Sequence, residues 1–117
     1  MSHQRPAFTV ACEECGVDAD LESANGIVDF YRRHHRLTGH DATITRVDLA
    51  FELPTDGDLE TVVADLESRY DDGVPIGVVA AAMDEQGVSV GDTLAEIYDV
   101  RMTGALYEPR DDHLAAV

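Results

Sequence analysis

The sequence predicts an α+β fold in two parts, a small β-β-α unit followed by a helical unit that ends in a β-hairpin. Apolar and polar residues alternate on either side of a cysteine pair, and a helical period follows over residues 23–36. A strand-like stretch over residues 42–53 leads into turn-forming residues at 54–57. We therefore expect two domains, residues 1–53 and residues 54–117, on either side of this turn.

The β-β-α pattern of the first unit can be followed residue by residue. Residues 8–11 alternate as a strand that leads into the cysteines, Gly16 suits a tight turn, and residues 17–21 alternate as the return strand. The helix that follows carries its apolar residues at spacings of three and four. Gly39 predicts the end of this helix, because glycine adopts the left-handed conformation without a Cβ clash. The turn at Gly39 brings the chain back toward the cysteines.

Two cysteines and three histidines in this unit have the spacing of metal ligands. Cys12 and Cys15 form a C-x₂-C pair, and His40 follows His34 and His35 at an interval that suits a second ligand pair. Zinc binds two thiolates and two imidazoles in a tetrahedron, so we predict zinc as the cofactor. Helical periodicity puts both His34 and His35 on the inward face and leaves open which of them is a ligand. The alternatives are a hairpin without metal and a C-x-x-C redox pair, although no strand–helix–strand pattern surrounds the cysteines.

Residues 12–40 resemble the small zinc fingers of archaeal proteins, which combine a C-x-x-C knuckle with an H-x-x-x-T-G-H ending. In this chain the ending reads HHRLTGH over residues 34–40. The resemblance implies four metal ligands, which are Cys12, Cys15, His34 and His40. His35 stays in reserve as the third ligand. Asp41, next to His40 in the sequence, is expected to orient that ligand by accepting a hydrogen bond from its ring.

Three helices and a hairpin are predicted for the second unit. Asp58 caps the first helix, whose buried stripe extends over residues 59–70. A short extended piece at residues 74–76 precedes a second helix, and Ser89 opens a third. The residues of the third helix that we expect to face inward are Val90, Leu94, Ile97, Tyr98 and Arg101. The chain ends in two predicted strands, residues 105–108 and 113–117.

Helix, short strand, helix, turn, helix and hairpin is the order of the winged helix-turn-helix fold. Residues 72–76 and 103–110 resemble the C-terminal winged helix of archaeal minichromosome maintenance helicases. The resemblance implies this fold and a setting in replication or regulation, without helicase activity, because the chain has no P-loop motif. In a DNA-reading winged helix the third helix enters the major groove, but its exposed residues here include Asp92, Glu96 and Asp99. We therefore expect this unit to contact a protein partner or a second copy of itself.

The composition is strongly acidic. The 117 residues include 24 acidic and 8 basic residues, for a formal net charge of -16 at pH 7, and every basic residue is arginine. This composition resembles that of proteins from halophilic archaea, which work in multimolar salt. Such salt reduces the Debye length to roughly 3 Å or less, so the net charge says little about partners. The sequence predicts no membrane association, and the absence of a secretory segment favours a cytoplasmic location.

Four arginines on or just after the first-unit helix are the candidates for nucleic-acid contact: Arg32, Arg33, Arg36 and Arg46. They either contact DNA phosphates and guanine edges or solvate a helix C-terminus, where the dipole favours cations. We predict a zinc-binding, DNA-associated regulator of transcription or replication, with a protein-interaction adaptor as the alternative. One exposed face that carries all four arginines would favour DNA, whereas pairing with nearby acids would favour the adaptor. No enzyme activity is expected, because a closed Cys₂His₂ set leaves no open metal position for water.

Overall fold

The computed structural model describes residues 7–49 and 51–117. The first unit has the predicted β-β-α order followed by a third strand. Its elements are β1 (Phe8–Cys12), β2 (Val17–Leu21), α1 (Ala24–Thr38) and β3 (Thr43–Val47). β1 lies at the centre of an antiparallel sheet with the order β2-β1-β3. Ser23 caps α1 by accepting a hydrogen bond from the backbone N–H of Gly26 at 3.2 Å.

Two boundaries of the first unit differ from the prediction. α1 continues to Thr38, two residues beyond the helical period predicted over residues 23–36, and ends at the left-handed Gly39 at φ 78°, the residue predicted to end it. The strand predicted over residues 42–53 ends at Val47. Its partner β1 begins at Phe8, directly opposite Val47, and one further backbone hydrogen bond, from the N–H of Asp48 to the carbonyl of Ala7 at 2.8 Å, follows the ladder. Ala50, which the predicted strand includes, lies outside the described residues.

The second unit has the predicted order of helix, short strand, helix, helix and hairpin. Its elements are α2 (Leu59–Glu67), β4 (Val74–Pro75), α3 (Ile76–Glu85), α4 (Val90–Met102), β5 (Leu106–Arg110) and β6 (His113–Ala116). The three strands form a second antiparallel sheet with the order β4-β6-β5. Asp58 and Ser89 cap α2 and α4 by accepting backbone hydrogen bonds at 2.9 and 3.1 Å. The assignment of this unit to the winged-helix class stays a prediction.

α4 buries part of the predicted stripe, since Val90 and Ile97 are buried and Leu94 packs against the core. Its buried residues are Val90, Thr93 and Ile97. Tyr98 and Arg101 were expected to face inward, and both are exposed. Tyr98 lies about 100° around the helix from Ile97, and 63% of its surface is accessible to solvent. Arg101 instead pairs with Glu108 of β5 at 3.0 Å.

α2 and the hairpin also differ in extent from the prediction. α2 ends at Glu67, where the hydroxyl of Ser68 donates to the carbonyl of Asp65 at 3.1 Å and competes with the helical ladder. Tyr70 therefore lies beyond the helix, although its half-buried side chain still packs against the core. β5 extends to Arg110, which shortens the hairpin turn to two aspartates, Asp111 and Asp112.

The two units share one hydrophobic core. α3 is its central helix, since every residue from Ile76 to Met83 is buried and α1, α2 and α4 all pack against it. The core cluster includes Val10, Ile27 and Ile44 of the first unit together with the buried residues of α2, α3 and α4. The domain boundary predicted after residue 53 stays a prediction, and its test is whether either half folds without this common core.

The helices of both units are short. The longest, α1, has 15 residues. Within residues 7–49 and 51–117, no helix combines the length and the apolar character that crossing a bilayer requires.

Candidate metal centre

The first ligand pair lies at the turn between β1 and β2. Cys12 is the last residue of β1, and the chain reverses over the next four residues to enter β2. The backbone N–H of Gly16 donates to the carbonyl of Cys12 at 2.8 Å, and Gly16 has a φ of 69°, which a side chain would make costly. This knuckle turns Cys15 back toward Cys12. Cys12 is buried, whereas Cys15 is exposed.

The second pair lies at the C-terminus of α1. His34 is in the last turns of the helix, and the hydroxyl of Thr38 donates to its carbonyl at 2.7 Å. The same hydroxyl accepts from the backbone N–H of His40 at 3.1 Å. Gly39, in the left-handed conformation, donates its N–H to the carbonyl of His35 at 2.7 Å. Together these bonds fold the chain over the helix end and point the ring of His40 at the cysteines.

The ligand atoms of Cys12, Cys15, His34 and His40 all lie within 4.8 Å of one another. The Sγ of Cys15 is 3.6 Å from Nε2 of His34 and 3.1 Å from Nδ1 of His40, and the Sγ of Cys12 is 3.6 Å from the same Nδ1. In a zinc tetrahedron with the usual bond lengths, sulfur and nitrogen ligands lie about 3.5 Å apart. The cluster therefore has both the donor set and the spacing that such a metal ion requires.

His35 lies outside this cluster. It is exposed, and its ring stacks on Tyr31 with the centroids 5.2 Å apart. His34 stacks in the same way on Phe30 at 5.2 Å, which holds its imidazole on the side of α1 that faces the cysteines. Of the two adjacent histidines, the structure thus brings His34 to the cysteine pair and leaves the reserve residue, His35, on the surface.

Glu14 makes the contact that the sequence assigned to Asp41. Its carboxylate Oε2 is 2.9 Å from Nε2 of His40, the ring nitrogen that does not face the sulfurs. A carboxylate on the outer nitrogen of a ligating histidine fixes the ring tautomer and orientation. Asp41 instead accepts from the backbone N–H groups of Ala42 at 2.8 Å and Gly91 at 3.3 Å. The prediction for Asp41 was wrong because its side chain turns toward the N-terminus of α4.

In the metal-free chain, the surroundings of Cys15 disfavour its thiolate form. Partial desolvation, then the hydrogen bond and charge of Cys12 and the charge of Glu14, raise the pKa of Cys15. Each of these effects disfavours the negatively charged thiolate form of Cys15. A bound cation would favour the thiolate and so offset these effects, and the site gains most from an ion that accepts thiolates.

The four candidate arginines do not share one free surface. Arg32 donates to both carboxylate oxygens of Asp112, at 3.0 and 3.1 Å. Arg46 pairs with Asp48. Arg33 and Arg36 are exposed on the last turns of α1. Two of the four are thus paired with acidic side chains.

The chain matches two family models, one in each unit. Residues 9–46 match the model described as HVO_B0008 N-terminal, and residues 64–114 match the HVO_B0008 C-terminal domain. Searches among curated proteins and among solved structures found no match. The N-terminal match contains all four residues of the metal cluster. The chain is therefore similar to HVO_B0008 in both units, in the same order along the sequence.

Proposed function

We propose that this protein is a zinc-stabilised, non-enzymatic adaptor, in which a zinc finger supports a winged-helix unit that contacts another protein. The observation that carries the proposal is the cluster of Cys12, Cys15, His34 and His40, whose ligand atoms lie within 4.8 Å of one another. Two thiolates and two imidazoles are a common donor set of structural zinc sites. Two thiolates also balance the charge of one Zn²⁺ ion.

The role of the metal in this proposal is to stabilise the fold. Four protein ligands complete a tetrahedron and leave no position at which a metal-bound water or substrate is activated. In small metal-binding units the free energy of metal binding contributes directly to folding. The large buried side chains of the first unit are Phe8 and a few aliphatic residues, which are Val10, Ile27, Val28 and Ile44. A bound metal would therefore supply part of the stability that a larger core supplies in bigger domains.

The charges on the surface favour a protein partner over DNA. Ion pairs with acids occupy Arg32 and Arg46. The exposed surface of α4, the helix that would enter a DNA groove in a winged-helix reader, carries Asp92 and Asp99. These carboxylates would lie against DNA phosphates, a contact that is unfavourable even when salt screens it.

A DNA-associated regulator of transcription or replication is the second candidate. Arg33 and Arg36 favour it, because they are exposed one turn apart at the C-terminal end of α1. In multimolar salt the phosphate contribution to DNA affinity is small, so such binding would depend on contacts with base edges. We place both candidate functions in the cytoplasm of a halophile, where cysteines stay reduced and can bind a metal.

A selection from random duplex DNA at about 0.15 M and about 1 M potassium chloride separates the two candidates. The adaptor predicts that the zinc-loaded full chain enriches no sequence at either salt concentration. Enrichment of one sequence, lost in Arg33→Ala and Arg36→Ala but kept in Arg101→Ala, would establish the DNA-associated regulator instead. Arg101 is the matched control because it is an exposed arginine near the end of a different helix.

A further inference from the structure

α4 exposes an apolar row in addition to its buried one. Ala95, Tyr98 and Met102 follow each other at spacings of three and four and therefore lie on one face of the helix. Tyr98 is 63% exposed and Met102 is 70% exposed. Tyr107 of β5, 50% exposed, continues this apolar surface beyond the helix. Single exposed apolar residues are ordinary, but a contiguous group of them marks an interaction site.

A groove of about 410 Å³ lies at the centre of this surface, between α4 and β5. Tyr98 and Met102 form its helix wall, and Leu106 and Tyr107 form its strand wall. Arg101 and Glu108 pair with each other at 3.0 Å across the groove. Because Arg101, the arginine that lines the groove, already pairs with Glu108, it offers no free positive charge to a ligand.

Carboxylates lie on α4 beside the apolar row, on the side away from the groove-lining Arg101. Asp92 and Asp99 are exposed and seven residues apart, which places them on one row beside the apolar one, with half-buried Glu96 between them. An amphipathic helix that lays apolar residues into the groove would bring its flanking side chains against this row. Lysine or arginine at those flanking positions would be attracted, whereas aspartate or glutamate would be repelled.

An antiparallel pairing with a second copy of the chain on this surface is disfavoured by charge. In an antiparallel pair of α4 helices about a two-fold axis, the acidic row of each copy would face the acidic row of the other. Like charges directly opposite one another are destabilising. Charge complementarity therefore favours an occupant from another protein.

We propose that the groove between α4 and β5 binds a basic amphipathic helical segment of a partner protein, with Tyr98 and Met102 as the apolar anchors. This inference rests on the proposed adaptor function and names the chemistry of its partner. Aromatic residues and methionine are enriched at the centres of protein interfaces, and methionine adapts its shape to different partners.

The test is a selection of helical peptides on the zinc-loaded full chain. The probe is a displayed library of helical peptides, randomised at positions i, i+3, i+4 and i+7 and at the flanking positions. Counter-selection on the Tyr98→Ala/Met102→Gln double variant removes the peptides that bind elsewhere on the chain. Recovered peptides should carry apolar residues at the helical spacing and lysine or arginine beside them. Recovery of acidic peptides, or no enrichment over the counter-selected pool, would overturn the inference.

Matched variants then locate the binding site by fluorescence anisotropy with a recovered peptide. Met102→Gln should weaken binding roughly tenfold or more, as for a central interface residue. Leu37→Gln is the control, because Leu37 is equally exposed on α1, at 72%, and it should change affinity less than about twofold. Asp99→Asn should weaken binding at low salt, whereas Asp65→Asn on the exposed face of α2 should not. Equal losses in target and control variants would contradict the assignment.

Analytical ultracentrifugation of the free chain tests whether a second copy of the chain, rather than a basic partner, occupies the groove. A dimer that dissociates in Met102→Gln would show that a second copy covers the groove, and it would overturn the proposal of a basic partner.

The proposed adaptor function and the proposed groove are contradicted by different results. A DNA sequence enriched through Arg33 and Arg36 would reject the adaptor whatever the peptide selection finds, and peptides that bind the double variant unchanged would reject this groove alone.

Discussion

The backbone N–H of Gly77 donates a hydrogen bond to Oδ1 of Asn25 at 2.8 Å, and this bond joins the N-terminus of α3 to the N-terminus of α1. The amide nitrogen of Asn25 donates in turn to the carbonyl of Asp112 in the hairpin turn at 3.0 Å. One side chain of the first unit thus satisfies backbone groups at two places in the second. The finger-like unit and the helical unit are held together by polar bonds as well as by their common core.

Gly77→Ala should destabilise the protein by at least about 3 kcal/mol, because the added methyl group has no space. A Cβ on Gly77 would lie 1.8 Å from the carbonyl oxygen of Ala24, and backbone of α1 cannot move aside as a side chain does. Chemical denaturation of the two proteins measures the difference. Gly26→Ala is the control, since its nearest neighbour is the side chain of Leu21 at 3.1 Å. It should stay within about 1 kcal/mol of the wild type, and equal costs in both variants would contradict the close packing of α1 on α3.

The sequence could predict the features that depend on local patterns. The knuckle around Gly16, the left-handed end of α1 at Gly39 and the caps at Asp58 and Ser89 are each determined by a few neighbouring residues. For that reason the element order and the meeting of Cys12 with His40 followed from spacing alone.

Features that depend on tertiary contacts could not be predicted in this way. Tyr98 fits an inward stripe by period, but the position of β5 leaves it beside a groove on the surface. Glu14 and Asp41 are both carboxylates next to candidate metal ligands, and only the path of the backbone decides which one reaches His40. No pattern in the sequence indicates that Asn25 connects the two units. The two glutamates between the cysteines, Glu13 and Glu14, were the available signal, and it does not distinguish one from the other.

Glu14→Gln should lower the affinity for zinc roughly 10- to 100-fold, as loss of a carboxylate partner of a ligating histidine does at zinc sites. Its Oε2 lies 2.9 Å from the outer nitrogen of His40. Competition with a chromophoric chelator measures the affinity. Glu13→Gln removes the same charge from the neighbouring exposed residue and should have a much smaller effect. If both variants lose affinity equally, Glu14 acts only through its charge and does not orient His40.

Asp41→Ala should leave zinc affinity unchanged and lower the free energy of unfolding by about 0.5–1 kcal/mol. The carboxylate of Asp41 accepts from the N–H of Gly91 in the first turn of α4 at 3.3 Å, where the helix dipole favours a negative charge. Asp41→Asn keeps the hydrogen-bond acceptor without the charge and should recover part of the loss. A tenfold loss of zinc affinity in Asp41→Ala would show that Asp41, rather than Glu14, supports the metal ligand.

The fragment of residues 54–117 should be much less stable than the full chain. It lacks α1, which covers one side of the central helix α3, and the residues from Ile76 to Met83 are all buried in the complete fold. Thermal unfolding of the fragment should be broad and at lower temperature, with binding of a hydrophobic dye before the transition. A sharp transition at the temperature of the full chain would establish residues 54–117 as an independent domain.

The central claim, a structural zinc ion held by Cys12, Cys15, His34 and His40, is tested most directly by X-ray absorption at the zinc edge of the purified full chain. We predict one zinc ion per chain with two sulfur ligands at about 2.3 Å and two nitrogen ligands at about 2.0–2.1 Å. The metal should be lost in Cys15→Ser and His34→Asn and kept in His35→Asn. A chain without zinc, a zinc ion without sulfur ligands, or full retention of the metal in Cys15→Ser would contradict the claim.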